Sequence, residues 1–232
     1  SKKLSFAEKQ WETLGQWCCY LQEQGMDPQN QLCTDDFAGH LAHNCNLSVK
    51  AIMGIASFAI LCRMRGMEKD AAYWMEIARS MAKTWERTAA NGDGTYRLAF
   101  DQPGTFSMKY NMLWDVLFGT GLFDKDMINS EFSSYVSRHL NRYGMPLDNR
   151  ADYTKSDWIL WCASVLENPA FFQKMVHPVW LCYHESPSRV PLTDWYDSKT
   201  AERVGFQNRT VQGGLFIKIL KDSKALDASI QK

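Results

Sequence analysis

Two kinds of apolar segment alternate along the chain. In the first kind, apolar side chains recur at spacings of four and three, as Trp11, Leu14 and Cys18 do within residues 4–24. This spacing predicts a helix with one buried face. In the second kind, of which residues 51–62 are the longest example, apolar side chains occupy every side of the predicted helix. A helix that is apolar all round is buried all round.

Four segments of each kind follow one another in order. The one-sided helices are predicted over residues 4–24, 68–90, 125–142 and 169–185. The all-round helices are predicted over residues 37–65, 112–118, 158–163 and 211–220. A polar loop with acidic side chains leads into each all-round helix. The alternation therefore predicts helical hairpins with one outer and one inner helix.

The acidic loops recur at a nearly constant distance. Asp101, Asp148 and Asp194 follow one another at spacings of 47 and 46 residues, a period typical of helix-pair repeats. In such an array the loops gather at one end, above the inner helices. We predict an all-α fold, a partial α/α toroid of roughly four hairpins, in a single domain over residues 1–232.

Charge, the length of the apolar run and the spacing of the cysteines argue against several classes of partner and of protein. The chain has 26 basic and 26 acidic residues and no basic block, which argues against nucleic acid and anionic membrane as partners. The run at 51–62 is shorter than the roughly 20 apolar residues that a bilayer span needs, so a core helix is predicted. The seven cysteines lack CxxC spacing, which favours buried thiols over a disulfide framework.

Acidic side chains on the loops are the catalytic candidates. If the loops converge, one carboxyl group can protonate a leaving group while another activates water. For Asp36 or Asp157 taken alone, capping of a helix N-terminus is the competing interpretation. The recurrence of the whole loop type favours a functional rim. The predicted catalytic residues are Asp35, Asp36, Asp157 and Asp194.

Cationic, amide and aromatic side chains on the same loops are predicted to bind substrate. A cation suits a substrate carboxylate, and an aromatic platform suits a sugar ring. The predicted substrate-binding residues are His40, Asn44, Lys50, Lys109, Tyr110, Asp148, Arg150, Trp195, Tyr196 and Arg209. His40 and His43 are spaced to approach one metal, but a third ligand with clear spacing is lacking. We therefore predict no metal and no cofactor.

Four loop motifs in this order resemble the glutaminase A family of fungal and Bacteroidetes type. They lie at residues 34–44, 106–111, 147–158 and 191–196, and residues 204–214 resemble the C-terminal signature of that family. The resemblance implies a fold similar to six-hairpin glycosidases and hydrolysis of L-glutamine to L-glutamate and ammonia. It also implies an extracellular, periplasmic or cell-envelope protein, of which this chain is the C-terminal helical part, with the N-terminal domain of the same parent chain as a partner.

Three hypotheses follow for the function. The first is an amidohydrolase in which Asp36 or Asp157 acts as general base and Lys109 or Arg209 holds a substrate carboxylate. The second is a carbohydrate-active hydrolase or sugar-binding toroid that depends on Trp195 and Tyr196. The third is a helical fragment without catalytic activity of its own, whose parent supplies essential residues. In each case the partner is a small molecule, either glutamine or a related amide, or a sugar.

Overall fold

The structure is a computed structural model that describes residues 4–29 and 36–226, with Asp36 described through its backbone. Its α-helices are α1 (Ser5–Lys9), α2 (Trp11–Gln24), α3 (Cys45–Met64), α4 (Glu68–Thr88), α5 (Leu113–Phe118), α6 (Lys125–Ser134), α7 (Ser156–Ala163), α8 (Pro169–Glu185) and α9 (Ile217–Asp222). Short 3-10 helices occupy Asp36–Ala38, Tyr110–Met112 and Thr210–Phe216, and a π-helical turn occupies Tyr135–His139.

The predicted alternation of inner and outer helices is confirmed in the two best-formed hairpins. In α3, 13 of 20 residues are buried, whereas the antiparallel helix α4 buries 6 of 21. In α7, 6 of 8 residues are buried, whereas its partner α8 buries 5 of 17. The inner helices therefore contribute most of their surface to the core, and the outer helices contribute one face.

The helix α3 begins at a capped N-terminus and runs through the core. The side-chain oxygen of Asn44 accepts a hydrogen bond from the Leu47 N–H at 2.8 Å, which satisfies one of the free donors of the first turn. By length and composition α3 is apolar enough to cross a membrane, but 72% of its most apolar stretch is buried inside the protein. Burial against α2 and α4 is the behaviour of a core helix, as predicted.

A small antiparallel sheet lies where the sequence predicted only loops. Its strands are β1 (Tyr153–Lys155), β2 (Thr193–Asp197) and β3 (Arg203–Gln207), in the order β1-β2-β3. The register pairs Lys155 with Trp195 across β1 and β2. The strands are short and mostly polar, so they carry no clear period of two. The sheet matters because β1 leads directly into α7.

Four sequence-based details are wrong. The helix predicted over 37–65 begins only at Cys45, after the 3-10 helix Asp36–Ala38. The helix predicted over 125–142 ends at Ser134 and continues as the π-helical turn. The helix predicted over 211–220 is instead the 3-10 helix Thr210–Phe216 followed by α9, with only Ile217 buried, because two consecutive glycines weaken an α-helix there. The bounds of α8 are correct, but Trp180, which lies among the apolar positions of the helix predicted over 169–185, is 55% exposed.

The cysteine prediction is confirmed for the part of the chain that the structure describes. Cys18, Cys45, Cys62, Cys162 and Cys182 are buried free thiols. Cys19 is a free thiol too, but an exposed one, and Cys33 lies outside the described residues. Burial raises the pKa values of the buried thiols, so they are unreactive packing residues.

Candidate functional site

Four charged side chains from separate segments meet beside the sheet. Lys155 ends β1, Asp157 lies in the first turn of α7, Asp194 lies in β2 and Arg209 follows β3. We call these four residues the charged cluster. Pairing of β1 with β2 brings the first three together, although Lys155 and Asp194 are 39 residues apart in the chain.

One ammonium group links both carboxylates of the charged cluster. Nζ of Lys155 lies 3.0 Å from Oδ1 of Asp157 and also contacts Oδ2 of Asp194. Arg209 donates to the same Asp194 carboxylate, from Nη2 to Oδ2 and from Nε to Oδ1 at 3.2 Å. The side chain of Asp194 is fully buried and that of Arg209 is 35% exposed. The cluster is therefore closed towards the core and reaches solvent through Arg209.

The two carboxyl groups have pKa values shifted in opposite directions. Burial raises the pKa of Asp157, and the nearby Asp194 carboxylate adds to this shift against the opposing charge of Lys155. Burial would also raise the pKa of Asp194, but hydrogen bonds and charge from Arg209 and Lys155 outweigh it and hold that pKa below its ordinary value. Two neighbouring carboxyl groups whose pKa values differ in this way suit different roles in acid–base chemistry.

Aromatic rings form a wall over the charged cluster. The Phe37 ring contacts the rings of Trp195 at 4.7 Å and Trp158 at 5.8 Å between centroids. The Arg209 guanidinium carbon lies 3.6 Å from the centre of the Phe206 ring, within the range of a cation–π contact. The wall comprises Phe37, Tyr153, Trp158, Trp195 and Phe206.

Arg150 and Asp148 connect the aromatic wall to the 3-10 helix Asp36–Ala38. Arg150 donates to the buried Asp148 carboxylate from Nε at 3.0 Å and from Nη2 at 2.6 Å. Its Nη1 donates to the Ala38 carbonyl oxygen at 3.3 Å, next to Phe37. This predicted pair thus holds the 36–38 segment near the site.

Lys109 and Tyr110 lie in the interior. Lys109 is fully buried, and its ammonium donates to the Tyr96 carbonyl oxygen at 3.1 Å and to Ser107 at 3.0 Å, with Glu131 at 3.4 Å. The Tyr110 ring stacks on Trp158 with centroids 4.1 Å apart, behind the aromatic wall. Lys109 therefore stands apart from the charged cluster.

Other predicted substrate-binding residues also lie apart from the charged cluster. Asn44 is occupied as the cap of α3, and Lys50 borders a 310 Å³ cavity between α2 and α3. His40 is exposed. The hydroxyl of the buried Tyr196 donates to the Tyr143 carbonyl oxygen at 2.8 Å, away from the Trp195 ring.

Two of the four predicted catalytic residues lie in the charged cluster, namely Asp157 and Asp194. Asp35 lies outside the described residues, and Asp36 is described only as backbone of the 3-10 helix that carries Phe37. Sequence analysis did not select Lys155 as a site residue. Its position two residues before Asp157, within the motif at 147–158, is the signal that could have identified it.

Within residues 4–29 and 36–226, no group of three or more His, Cys, Asp and Glu side chains is placed to hold a metal ion. The imidazole of His43 instead pairs with Asp27, with Nδ1 and Oδ1 2.7 Å apart. The His43 side chain is partly buried, and this hydrogen bond raises its pKa. The pair therefore fixes residues 27 and 43 to each other ahead of α3.

Comparison with known proteins finds matches over most of the chain. A family model described as "Glutaminase A six helical-hairpin domain" matches residues 1–219. Glutaminase A of Aspergillus oryzae is 31% identical over 225 residues, which cover 93% of this chain and 32% of that protein. Probable glutaminase/05536 of Arthroderma benhamiae is 31% identical over 244 residues, which cover 91% of this chain and 28% of that protein. The chain thus spans about a third of the length of these curated relatives.

Proposed function

We propose that this chain carries a site hydrolysing the side-chain amide of L-glutamine to L-glutamate and ammonia. The chain belongs to the glutaminase A six helical-hairpin family, and the proposal proceeds from that membership. Both relatives above bear the name glutaminase. The observation that carries the proposal is the pair Asp157 and Asp194, two buried carboxyl groups that share the Lys155 ammonium beside the partly exposed Arg209. The extracellular or cell-envelope location implied by the loop motifs remains part of this proposal.

Asp157 is the general base and acid of the proposed reaction. Its carboxylate takes a proton from water, and the resulting hydroxide adds to the amide carbon, giving a tetrahedral oxyanion. Asp157 then returns the proton to the amide nitrogen, the C–N bond breaks and ammonia leaves. The new carboxylic acid gives its proton to ammonia, so glutamate and ammonium are the products. A raised pKa suits a group that both accepts and donates a proton near neutral pH.

The other three members of the charged cluster hold Asp157 in place and supply a cation for the substrate. Asp194 stays ionised and fixes Lys155, which holds the Asp157 carboxylate in place. Arg209 has five N–H donors and uses only one edge of its guanidinium for Asp194. Because about a third of its side chain is exposed, Arg209 is the cation that we propose for the substrate α-carboxylate.

Lys155 also favours an amide over a sugar as the substrate. In a glycosidase the two carboxyl groups flank the scissile bond, roughly 5 to 9.5 Å apart, with room for the glycosidic oxygen between them. Here the Lys155 ammonium occupies the space between Asp157 and Asp194. The carbohydrate alternative therefore depends on the aromatic wall alone.

Two parallel assays test the proposal. Ammonia release from L-glutamine and release of reducing ends from oligosaccharides are measured on this chain, with the Aspergillus oryzae glutaminase as a positive control for the ammonia assay. We expect ammonia release that falls at least roughly 100-fold in Asp157→Asn and in Asp194→Asn, but not in the surface control Asp152→Asn. Reducing ends without ammonia would establish the carbohydrate hypothesis instead. Neither product, with the helices intact, would favour the fragment without activity of its own.

A further inference from the structure

The Phe206 ring supports the Arg209 guanidinium through one face. The guanidinium carbon is 3.6 Å from the centre of the ring. Carbon atoms in contact are about 3.5 to 4.0 Å apart, so a carbon this near to the ring centre lies over the face of the ring and not beside its edge. Phe206 therefore makes a cation–π contact with the one member of the charged cluster that reaches solvent.

Phe206 has an unusual backbone conformation near the end of β3. Its φ angle is +30°, and that of Asn208 is +51°. Bulky L-residues rarely adopt a positive φ, because Cβ then crowds the neighbouring backbone. Such residues persist where the surrounding structure enforces them, which is most common at functional sites. The conformation of Phe206 thus needs contacts that hold it.

The neighbouring strand β2 provides these contacts. The hydroxyl of the buried Thr193 lies 2.7 Å from the Phe206 carbonyl oxygen, and the Asn208 N–H donates to the Leu192 carbonyl oxygen at 3.0 Å. A Cβ atom added to Gly205 would lie 2.5 Å from a ring atom of Trp195. The backbone is therefore held at Phe206 and on both sides of it, and the fold sets the direction of its ring.

Two other rings of the aromatic wall hold the Phe206 ring itself. The Phe37 ring meets it at a steep angle of 81° with centroids 5.5 Å apart, and the Trp195 ring lies at 4.9 Å. Both distances are ordinary for aromatic pairs. Arg209 thus rests on a ring that is fixed by its own backbone and by its neighbours.

Asp194 and Phe206 together leave one end of the Arg209 guanidinium for a ligand. Asp194 accepts from Nε and Nη2 on one edge, and Phe206 covers one face. The Nη1–Nη2 end remains, and this fork matches the two oxygens of a carboxylate. The Arg209 side chain is 35% exposed, so a carboxylate approaches it from solvent and no helix or strand has to move.

We propose that Phe206 is a positioning residue that orients Arg209 so that the Nη1–Nη2 end binds the α-carboxylate of the substrate. This inference rests on the proposed function and adds a residue that sequence analysis did not select. A guanidinium held on one edge and on one face loses little freedom when the substrate binds, and this pre-organisation strengthens binding. Phe206 acts through Arg209 and not on the reacting amide, so its loss should weaken binding and leave the chemical step intact.

Kinetics with L-glutamine test this role through KM and kcat. We expect Phe206→Leu to raise KM roughly 10-fold, the range of a partly buried cation–π contact, with kcat unchanged. Phe206→Tyr keeps the ring and should restore the low KM. The matched control Phe6→Leu, which removes an exposed ring on α1, should change neither constant.

A double-mutant cycle tests whether Phe206 acts through Arg209. In the Arg209→Met background, Phe206→Leu should have no further effect on KM. Equal effects of Phe206→Leu with and without Arg209 would overturn the proposal. A fall in kcat at unchanged KM would overturn it too.

NMR of the Arg209 Nε–H group provides a readout that needs no turnover. Its resonance is identified by its absence in Arg209→Lys. A proton over the face of an aromatic ring is shielded, so the resonance should lie upfield in the wild-type chain and move downfield in Phe206→Leu. L-Glutamine, titrated into Asp157→Asn to prevent turnover, should shift the resonance, with an affinity about 10-fold weaker when Phe206→Leu is added.

The two readouts separate failure of this inference from failure of the proposed function. If glutamine shifts the Arg209 resonance but no ammonia is released, the hydrolysis is wrong and the role of Phe206 in binding survives. If ammonia is released but the resonance has the position of an exposed arginine, or does not respond to glutamine, the role of Phe206 is wrong and the hydrolysis stands. If neither signal appears, both are wrong. Should Phe206→Leu fail to fold, the upfield position in the wild-type chain and its response to glutamine decide the question.

Discussion

The ammonium nitrogen of Lys155 lies 3.0 Å from the carboxylate of Asp157, and both side chains are almost fully buried. Asp194 contacts the same ammonium, and Arg209 supplies the second positive charge. Two cations and two anions thus compensate one another in the interior. A buried charge that loses its partner is costly, because the remaining ion cannot recover its hydration.

Removal of Lys155 should therefore destabilise the fold. Lys155→Met leaves Asp157 and Asp194 facing each other, and we expect a loss of about 3–5 kcal/mol in the free energy of unfolding. The exposed pair of Lys199 with Asp152, 2.9 Å apart, is the control, and Lys199→Met should cost at most about 1 kcal/mol. Urea unfolding measures both. Equal stabilities of the two variants would contradict a buried, mutually dependent cluster.

The pH dependence of catalysis should report on Asp157. A general base must be ionised, and the pKa of this carboxyl is raised by burial, so the acid limb of kcat/KM should lie above the ordinary aspartate value of 3.8. Asp194, with its lowered pKa, stays ionised over that range. The limb should be retained in Asp152→Asn. A limb at or below the ordinary value would exclude Asp157 as the base.

Lys109 should behave as a structural residue. Lys109→Met leaves Glu131 buried without its cation, for which we expect a loss of about 3–5 kcal/mol in stability. The double variant Lys109→Met/Glu131→Gln should recover part of this loss, because the unpaired charge is gone. The KM for glutamine should not change. A raised KM with unchanged stability would instead support the substrate-binding role that sequence analysis predicted.

His139 should make stability depend on pH. Its ring stacks on Phe106 with centroids 3.6 Å apart, and burial together with Arg138 and Lys109 lowers its pKa below 6.5. The unfolded chain therefore binds the proton more readily, so the contribution of His139 is complete above pH 6.5 and is lost as the pH falls through its folded pKa. His139→Phe keeps the stacked ring and should reduce this dependence in urea unfolding. An unchanged pH profile in that variant would disprove the assignment.

The resemblance of four loop motifs to the glutaminase A family is confirmed by the match over residues 1–219. The mostly helical hairpin fold is confirmed too. The fold was accessible from sequence because a helix that buries one face, or all faces, shows its burial in the spacing of its apolar residues. The outer helix α4 shows this directly, since Ala71, Met75, Ala78 and Trp85 recur at spacings of four, three and seven and are all buried.

The sequence alone determined which side chains were candidates for the site. It selected Asp157, Asp194 and Arg209 because acidic and basic residues recur in the loops before inner helices. It could not separate them from Lys109 or Tyr196, which lie in segments predicted as equally polar loops but bond elsewhere, to the carbonyl oxygens of Tyr96 and Tyr143. The direction of a side chain in such a segment leaves no periodic pattern in the sequence, because a loop has no fixed spacing.

Only the tertiary structure decided which candidates meet. Lys155 and Asp194 are brought together by β1 and β2, and Gly214 packs against Trp161 because the 210–216 helix folds back over α7. Ion pairs between residues tens of positions apart depend on strand register, and the packing of the 210–216 helix on α7 depends on the close approach of a glycine. Neither is encoded in a local pattern. The sequence thus determined which chemical groups the loops carry, and the packing of the fold determined which of these groups pair.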